Sequence, residues 1–461
     1  MNIAIIGAGP AGVITATAIC NKVKDKLLSI DLYDFGTPFR GRSFNTHSGN
    51  MLLNTSVGVS FIDPDNPDGF IDYINKNKKV QVQPGDVVSR DLAVYFLESE
   101  FTLAKKNGAN VNFYKETVND ISINHSGQLC VTYNKRTICY DSVIITTGLQ
   151  FSPPPVIVRH KNIISPYPAT NLTKIDKTSS VLILGSRLSA VDTLVHLEKS
   201  GHKGRIDVYS QSQLFPSVRH HVIKPSERFF LEQYQQAVEN LPNNYSRITC
   251  FLEMFKDYLS KKGMVLRDII AVYGNSGGTQ LEQDIRNCQE NRNIWENILM
   301  DLIDGLNYVW PSLPSEDKTR FNREVNPWFG RIAHSMPLGN AVTVLKLFHN
   351  NQLMMLSSGE LLTADINKYD VVVNATGLQS AENDVLLSSL SKKNLLTFNG
   401  NGGVQIDEWT HRLRNDIPLY ANGSIVQGDV FTANSIYSTS YGARKIALDI
   451  EKIFKNTMIE H

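Results

Sequence analysis

The stretch Asn2-Ile3-Ala4-Ile5-Ile6-Gly7-Ala8-Gly9-Pro10-Ala11-Gly12 decides the fold. A short apolar run of β type ends at Gly7, a helical pattern runs from Pro10 to about Val23, and Leu27–Tyr33 (LLSIDLY) reads as a second strand. Strand, Gly-rich turn, helix and strand in that order open a βαβ unit. The glycines follow G-x-G-x-x-G. Gly7 permits the tight turn, Gly9 lets backbone approach a pyrophosphate, and Gly12 allows close packing of helix on strand. Free N–H groups at the helix start, around Pro10 and Ala11, favour an anion there. Asp34 ends the second strand, 22 residues beyond Gly12, where an acidic side chain holds ribose hydroxyls. The glycines alone would also suit a turn without a ligand; with both strands and Asp34 they predict a dinucleotide site.

The same order recurs about 180 residues later: strand Val181–Leu184, turn at Gly185, helix Ser189–Ser200 and strand Arg205–Ser210. Its turn departs from the pattern, reading Gly185-Ser186-Arg187-Leu188-Ser189-Ala190, with Arg where a missing Cβ would admit a pyrophosphate. The next strand is followed by Ser210-Gln211-Ser212-Gln213, with neither a basic nor an acidic ribose reader. Three readings stay open: Arg187 clamps a phosphate, the site binds nicotinamide weakly, or it is vestigial. Between the two units lies β-rich sequence (Val111–Tyr114, Val118–Ile123, Leu129–Tyr133, Thr137–Cys139), and the Pro-rich Phe151–Val156 reads as a linker. From about residue 222 to 336 the spacing turns helical, and a last helix is expected over Asn434–Phe454.

Two apolar strands end alike, in Thr146-Thr147-Gly148 and Ala375-Thr376-Gly377. Paired endings of this kind resemble the chain crossings of flavoproteins with two dinucleotide domains. Arg40-Gly41-Arg42-Ser43-Phe44, Leu52-Leu53-Asn54-Thr55, Val88-Ser89-Arg90 with Tyr95, Gly201–Ile206 and Arg331–Pro337 then resemble, in order and rough spacing, the bacterial FAD-NAD(P)-binding family. That family is related to the class B flavin monooxygenases, among them amine N-hydroxylases and Baeyer–Villiger enzymes. The resemblance implies an α/β fold of two Rossmann-like dinucleotide-binding domains with a helical insertion in the second. The FAD domain would be discontinuous, residues 1–165 and 362–461, and the NAD(P)-type domain would span 166–361. It implies FAD held by Gly7, Gly9, Pro10, Ala11, Gly12, Asp34, Arg42, Arg90, Val118, Thr147, Gly148, Thr376, Gly377 and Asp429. NADPH or NADH would lie at Gly185, Ser186, Arg187 and Ser189. Asn54 would be the catalytic residue, an amide at the flavin face that holds an oxygen adduct at C4a; the alternative is an Asn that satisfies a turn.

The implied activity is an NAD(P)H-dependent monooxygenase placing one atom of O2 on a small metabolite. Two alternatives are an FAD oxidase or dehydrogenase without nicotinamide, and a flavin or nucleotide sensor that does not turn over. Composition narrows the field. Forty-six Lys plus Arg against 45 Asp plus Glu leave a charge of +1, giving no basic footprint for nucleic acid and no field for anionic membranes. No apolar run reaches 18 residues, and Met1–Cys20 lacks the basic start of an export signal. Five Cys without Cys-x-x-Cys disfavour a thiol–disulfide flavoprotein, a disulfide framework and a Cys-type zinc site, so a reducing, cytoplasmic compartment is expected. No metal is expected: Asp63-x-Asp65 has Pro67 and Ile74 where a calcium loop needs ligands, and adjacent His220 and His221 make a poor pair. There is no G-x-S-x-G elbow for a hydrolase. Trp295, Trp310 and Trp328 read as core.

Overall fold

In the computed structural model, the described residues are all except 47–50, 79, 222–228, 243–244, 266, 268–276, 364 and 460–461. The start of the expected helical insertion thus falls partly outside the described residues. Two five-stranded parallel sheets form the frame. The first has the order 419–421, 142–145, 2–6, 29–33, 110–114, and the second 353–356, 206–209, 181–184, 371–374, 163–164. Both are the doubly wound arrangement expected from the two strand–turn–helix units.

The apolar runs explain the sheets. Ile3, Ala4, Ile5 and Ile6 are all buried, as are Val181 to Leu184, because helices cover both faces of a parallel sheet. One face of the first sheet packs on helices Pro10–Val23 and Ile436–Ile459 through Val13, Ala16, Ile446 and Ile450. The second is covered by helices Leu188–Lys199, Gly277–Gln289 and Leu338–His349. A three-stranded antiparallel sheet, Val118–Ile123, Leu129–Tyr133 and Arg136–Tyr140, sits against the first. Strand Leu353–Leu356 was not expected from the sequence; only its two end residues are buried, so it shows neither an alternating nor a continuous apolar pattern of burial.

The insertion is helical, with Arg247–Lys261, Leu299–Val309, Ser315–Glu324 and Asn326–Ala333 around one apolar core. That core also takes in Val59 and Phe61 from the first half and Tyr437 from the last helix. Trp310 is buried there, and its indole N–H donates to the Gly428 carbonyl at 2.6 Å. The cysteines need one correction. Cys130 and Cys139 face each other across adjacent strands and form a disulfide, while Cys20, Cys250 and Cys288 are free and buried. Register explains the pair, since residues directly opposed on antiparallel strands bring their Cβ atoms together. Among the described residues, no helix is long and apolar enough to cross a membrane.

Candidate functional site

The first Gly-rich turn is fixed from three sides. Gly7 has φ +104°, and a Cβ there would stand 2.5 Å from the Thr146 carbonyl oxygen. A Cβ on Gly12 would lie 1.9 Å from the Gly7 oxygen, so helix and turn meet only because Gly12 has none. At Gly9 the neighbour is Gly41, whose Cα would be 3.4 Å from an added Cβ. Helix Pro10–Val23 starts at Gly9 with Pro in its first turn, no acidic residue there and no side-chain cap. Its first N–H groups therefore present positive potential to whatever lies over the turn. Asp34 stands at the edge of this cradle: one carboxylate oxygen accepts from Ala8 N–H and the other from Gly36 N–H, both at 2.8 Å.

The two crossings differ. Thr147 Oγ1 is buried with no partner, and Gly148 has φ +67°. Thr376 Oγ1 instead donates to Asn374 Oδ1 at 2.8 Å, and Gly377 has open space beside it. Arg42 donates to the Leu149 carbonyl just beyond the first crossing. Burial lowers its pKa, while the charges of Asp384 and Asp34 work the other way. Val118 is buried at the start of its strand, beside an irregularity in register. Asn54 follows a segment pinned to residues 88–90: Leu53 N–H donates to Val88 O at 2.8 Å and Arg90 N–H to Met51 O at 3.0 Å. Asn54 Oδ1 is buried and unpartnered, as is Asn45 Oδ1. Leaving such a group unpaired costs about 1–3 kcal/mol, and a bound group with hydrogen-bond donors would supply the partner. Gly-rich cradle, helix start, Asp34 and orphaned oxygens fit FAD.

Two residues expected at the cofactor are hydrogen-bonded to protein groups. Arg90 was read as touching the cofactor, but its guanidinium is spent on protein groups. It donates to Asp192 at 2.6 Å, to Leu52 O and Ser43 O at 3.1 Å, and to Tyr167 Oη at 3.4 Å. Asp192 lies on helix Leu188–Lys199, so this buried pair joins the two halves. Asp429 is the second. The residue after the last strand that meets the first turn is Gly423, where a Cβ would lie 2.8 Å from the Ala11 Cβ. Ser424 follows, its Oγ accepting from Leu149 N–H at 2.9 Å. Asp429 accepts instead from Asn399 Nδ2 and Ile406 N–H. Gly423-Ser424 stands just past strand Leu419–Ala421, separated from it by Asn422.

The second turn repeats the first with different side chains. Gly185 has φ +103°, its N–H donates to Tyr209 O at 2.7 Å, and a Cβ would lie 2.5 Å from the Ala375 oxygen. Arg187 takes the place of Gly9 in the same extended conformation, φ −82° against −69°. One of its guanidinium nitrogens reaches Pro327 O at 3.4 Å, and the other, Nη1, is buried without a partner. Burial and the nearby charge of Arg331 both lower its pKa. Ser186 Oγ donates to Leu214 O at 2.7 Å and lies 2.9 Å from Ser210 Oγ, while Ser189 is in the first turn of the helix.

Residues 4–150 match the family described as FAD-NAD(P)-binding. This part of the chain is therefore a dinucleotide domain of the FAD and NAD(P) class. No curated protein sequence matches the chain. Among solved structures, an ornithine N-hydroxylase from Kutzneria sp. 744, with reduced FAD, NADP+ and L-ornithine, aligns at 13% identity and TM-score 0.61, covering 98% of this chain and 99% of that one. An ornithine hydroxylase from Pseudomonas aeruginosa gives 13% and 0.59, covering 98% of both chains. An L-lysine 6-monooxygenase from Pseudomonas syringae gives 13% and 0.58, covering 98% and 99%. The chain shares their fold over nearly its whole length.

Proposed function

We propose that this protein is an FAD-dependent monooxygenase that uses a nicotinamide as reductant and transfers one oxygen atom from O2 to a small metabolite. The observation that carries the reading is the buried, unpartnered Asn54 Oδ1 in a chain whose first turn fits FAD. Bound FAD would supply electron transfer and oxygen activation; the chain supplies position and dryness. Gly7, Gly9 and Gly12 admit the pyrophosphate, Asp34 takes the ribose hydroxyls, and Thr147 Oγ1 and Ser424 offer polar contacts at the crossing. Pro10, Ala11, Arg42, Val118 and Gly148 would contact the same cofactor. Asn54 sets an amide at the reacting edge.

The helical insertion contributes by excluding water. It packs Trp295, Trp310, Phe321 and Phe329 into one core with Phe61 and Tyr437, next to the Asn54 segment and the start of the last helix. Reactive oxygen chemistry needs such a dry site. In this reading the nicotinamide lies over Gly185, Ser186, Arg187 and Ser189, with Thr376 and Gly377 at the second crossing. The likeness to an ornithine hydroxylase and an L-lysine 6-monooxygenase makes amines the first substrates to screen. The test is anaerobic reduction of the FAD-loaded protein by NADPH and by NADH, followed by mixing with oxygen and candidate amines. Oxygenated product formed in step with reductant consumed supports the reading. Arg187 favours a second one, an FAD oxidase taking hydride from its substrate; absence of reduction by either nicotinamide, with an organic substrate bleaching the flavin, would establish that instead.

A further inference from the structure

A cleft of about 730 Å3 opens between helix Leu299–Val309, the stretch 398–408 and one face of the last helix. None of the Gly7–Gly12 turn, the Thr147–Gly148 crossing or the Asn54 segment lines it. Three of its carboxylates are engaged by the protein. Asp407 accepts from Trp409 N–H and from Thr410 N–H and Oγ1; Asp429 accepts from Asn399 and Ile406 N–H; Asp304 accepts from Tyr437 Oη at 2.7 Å.

Three charged groups are not so engaged. Lys318 is 8% exposed, and its nearest carboxylate oxygen, on Asp429, is 3.9 Å away, beyond hydrogen-bonding reach. Lys445 Nζ donates to the Glu408 backbone carbonyl at 2.7 Å, which uses one of its three protons. The Glu408 carboxylate has no hydrogen bond among the described residues, yet its charge acts on both lysines. His411 adds an acceptor. Its Nδ1 lies 3.1 Å from Ala421 O and must donate, and burial holds the ring neutral, so Nε2 keeps its lone pair. Lys318 thus has a largely buried stem and an ammonium held by the protein only through the long ion pair to Asp429, so a carboxylate in the cleft would give it and Lys445 charge-assisted hydrogen bonds.

We propose that this cleft is a second small-molecule site, taking an ampholyte whose carboxylate meets the ammonium groups of Lys318 and Lys445 and whose protonated amine meets Glu408. The site stands apart from the cofactor cradle and does not depend on the monooxygenase reading. The probes are L-glutamate, which carries both charges, glutarate, which carries only carboxylates, and 1,5-diaminopentane, which carries only ammonium groups. Calorimetric titration of the FAD-loaded protein is expected to show saturable L-glutamate binding, with both other probes weaker by about tenfold or more, the worth of one charge-assisted hydrogen bond. Lys318→Met and Glu408→Gln should each weaken L-glutamate to a similar degree, with flavin content unchanged. Lys318→Met should also leave the thermal midpoint equal or higher, whereas a purely structural lysine would lower it. Absence of saturable L-glutamate binding, tighter binding of either single-charge probe, or binding indifferent to both substitutions overturns the proposal. Should Lys318→Met fail to fold, the half-buried Glu408→Gln carries the test alone.

Discussion

The two Gly-rich turns share a backbone and differ in what they leave open. Gly7 and Gly185 have φ within one degree of each other, +104° and +103°, and each would drive a Cβ to 2.5 Å from the carbonyl of its neighbouring crossing. Above that common base the first turn is bare: Gly9, a Thr147 hydroxyl with no partner among the described residues, and Asp34 at the rim. The second is furnished, with Arg187 on the loop, Thr376 tied to Asn374, and Ser210 where an ionic ribose reader would be. The fold thus asks for glycine at the base of the turn, where strand meets helix, and leaves the outer position to the ligand. An Arg is tolerated at 187 because its φ is negative, and a glycine is required at 185 because its φ is not.

The largest expected effect breaks the joint between the halves. Arg90→Ala leaves the buried Asp192 carboxylate without its counter-charge, with only the Tyr167 hydroxyl still donating to it, which should cost about 3–5 kcal/mol. Chemical denaturation measures it; Arg90→Met with Asp192→Leu should recover much of the loss. A cost below about 1 kcal/mol would mean the pair does not hold the halves together. Next comes Asn54→Ala. If the amide supports oxygen transfer, the step it serves should slow by about 100- to 1000-fold, equivalent to ~2.7–4 kcal/mol, with FAD retained and electrons emerging as hydrogen peroxide. A less stable but fully coupled variant would return Asn54 to a structural role.

The third effect sharpens the contrast at the second turn. Without an Arg fork at 211–213 a 2′-phosphate loses charge-assisted contacts worth about 1.5–3 kcal/mol each, so NADPH should be preferred over NADH by less than about tenfold. Stopped-flow reduction decides it, and strong discrimination abolished by Arg187→Ala would show that Arg187 supplies the missing cation. A further effect is on pH. Burial, with Lys445 nearby, pushes His411 from 6.5 down to about 3. The unfolded chain therefore binds a proton that the folded chain refuses between those values, and stability falls as pH drops through that window. His411→Gln should flatten this part of the stability–pH curve; an unchanged curve would show that other groups govern acid unfolding.

Much of the frame was legible because parallel strands buried on both faces read as unbroken apolar runs, and because G-x-G-x-x-G has one backbone explanation. Asn2–Ile6, Val118–Ile123, Leu129–Tyr133 and Val181–Leu184 have the bounds the residues suggested. What was hidden depends on contacts distant in sequence. Nothing near Arg90 announces Asp192, 102 residues away, and two cysteines nine apart become a pair only through hairpin register. Asp429 is likewise held by Asn399 and Ile406, and Gly423 meets the first turn through Ala11, contacts that join distant parts of the sequence. The cleft at Lys318 is assembled from three segments spread between residues 304 and 445, which no local pattern marks.

The central claim is that one FAD is held by the first turn and none by the second. Flavin released from purified, FAD-saturated protein should amount to one FAD per chain. Gly12→Ala, which sets a Cβ 1.9 Å from the Gly7 oxygen, should abolish it. Gly185→Ala, which crowds the Ala375 carbonyl at 2.5 Å, should leave the flavin bound while impairing reduction by nicotinamide. Two flavins per chain, no flavin at all, or loss of flavin in Gly185→Ala with retention in Gly12→Ala would contradict the account.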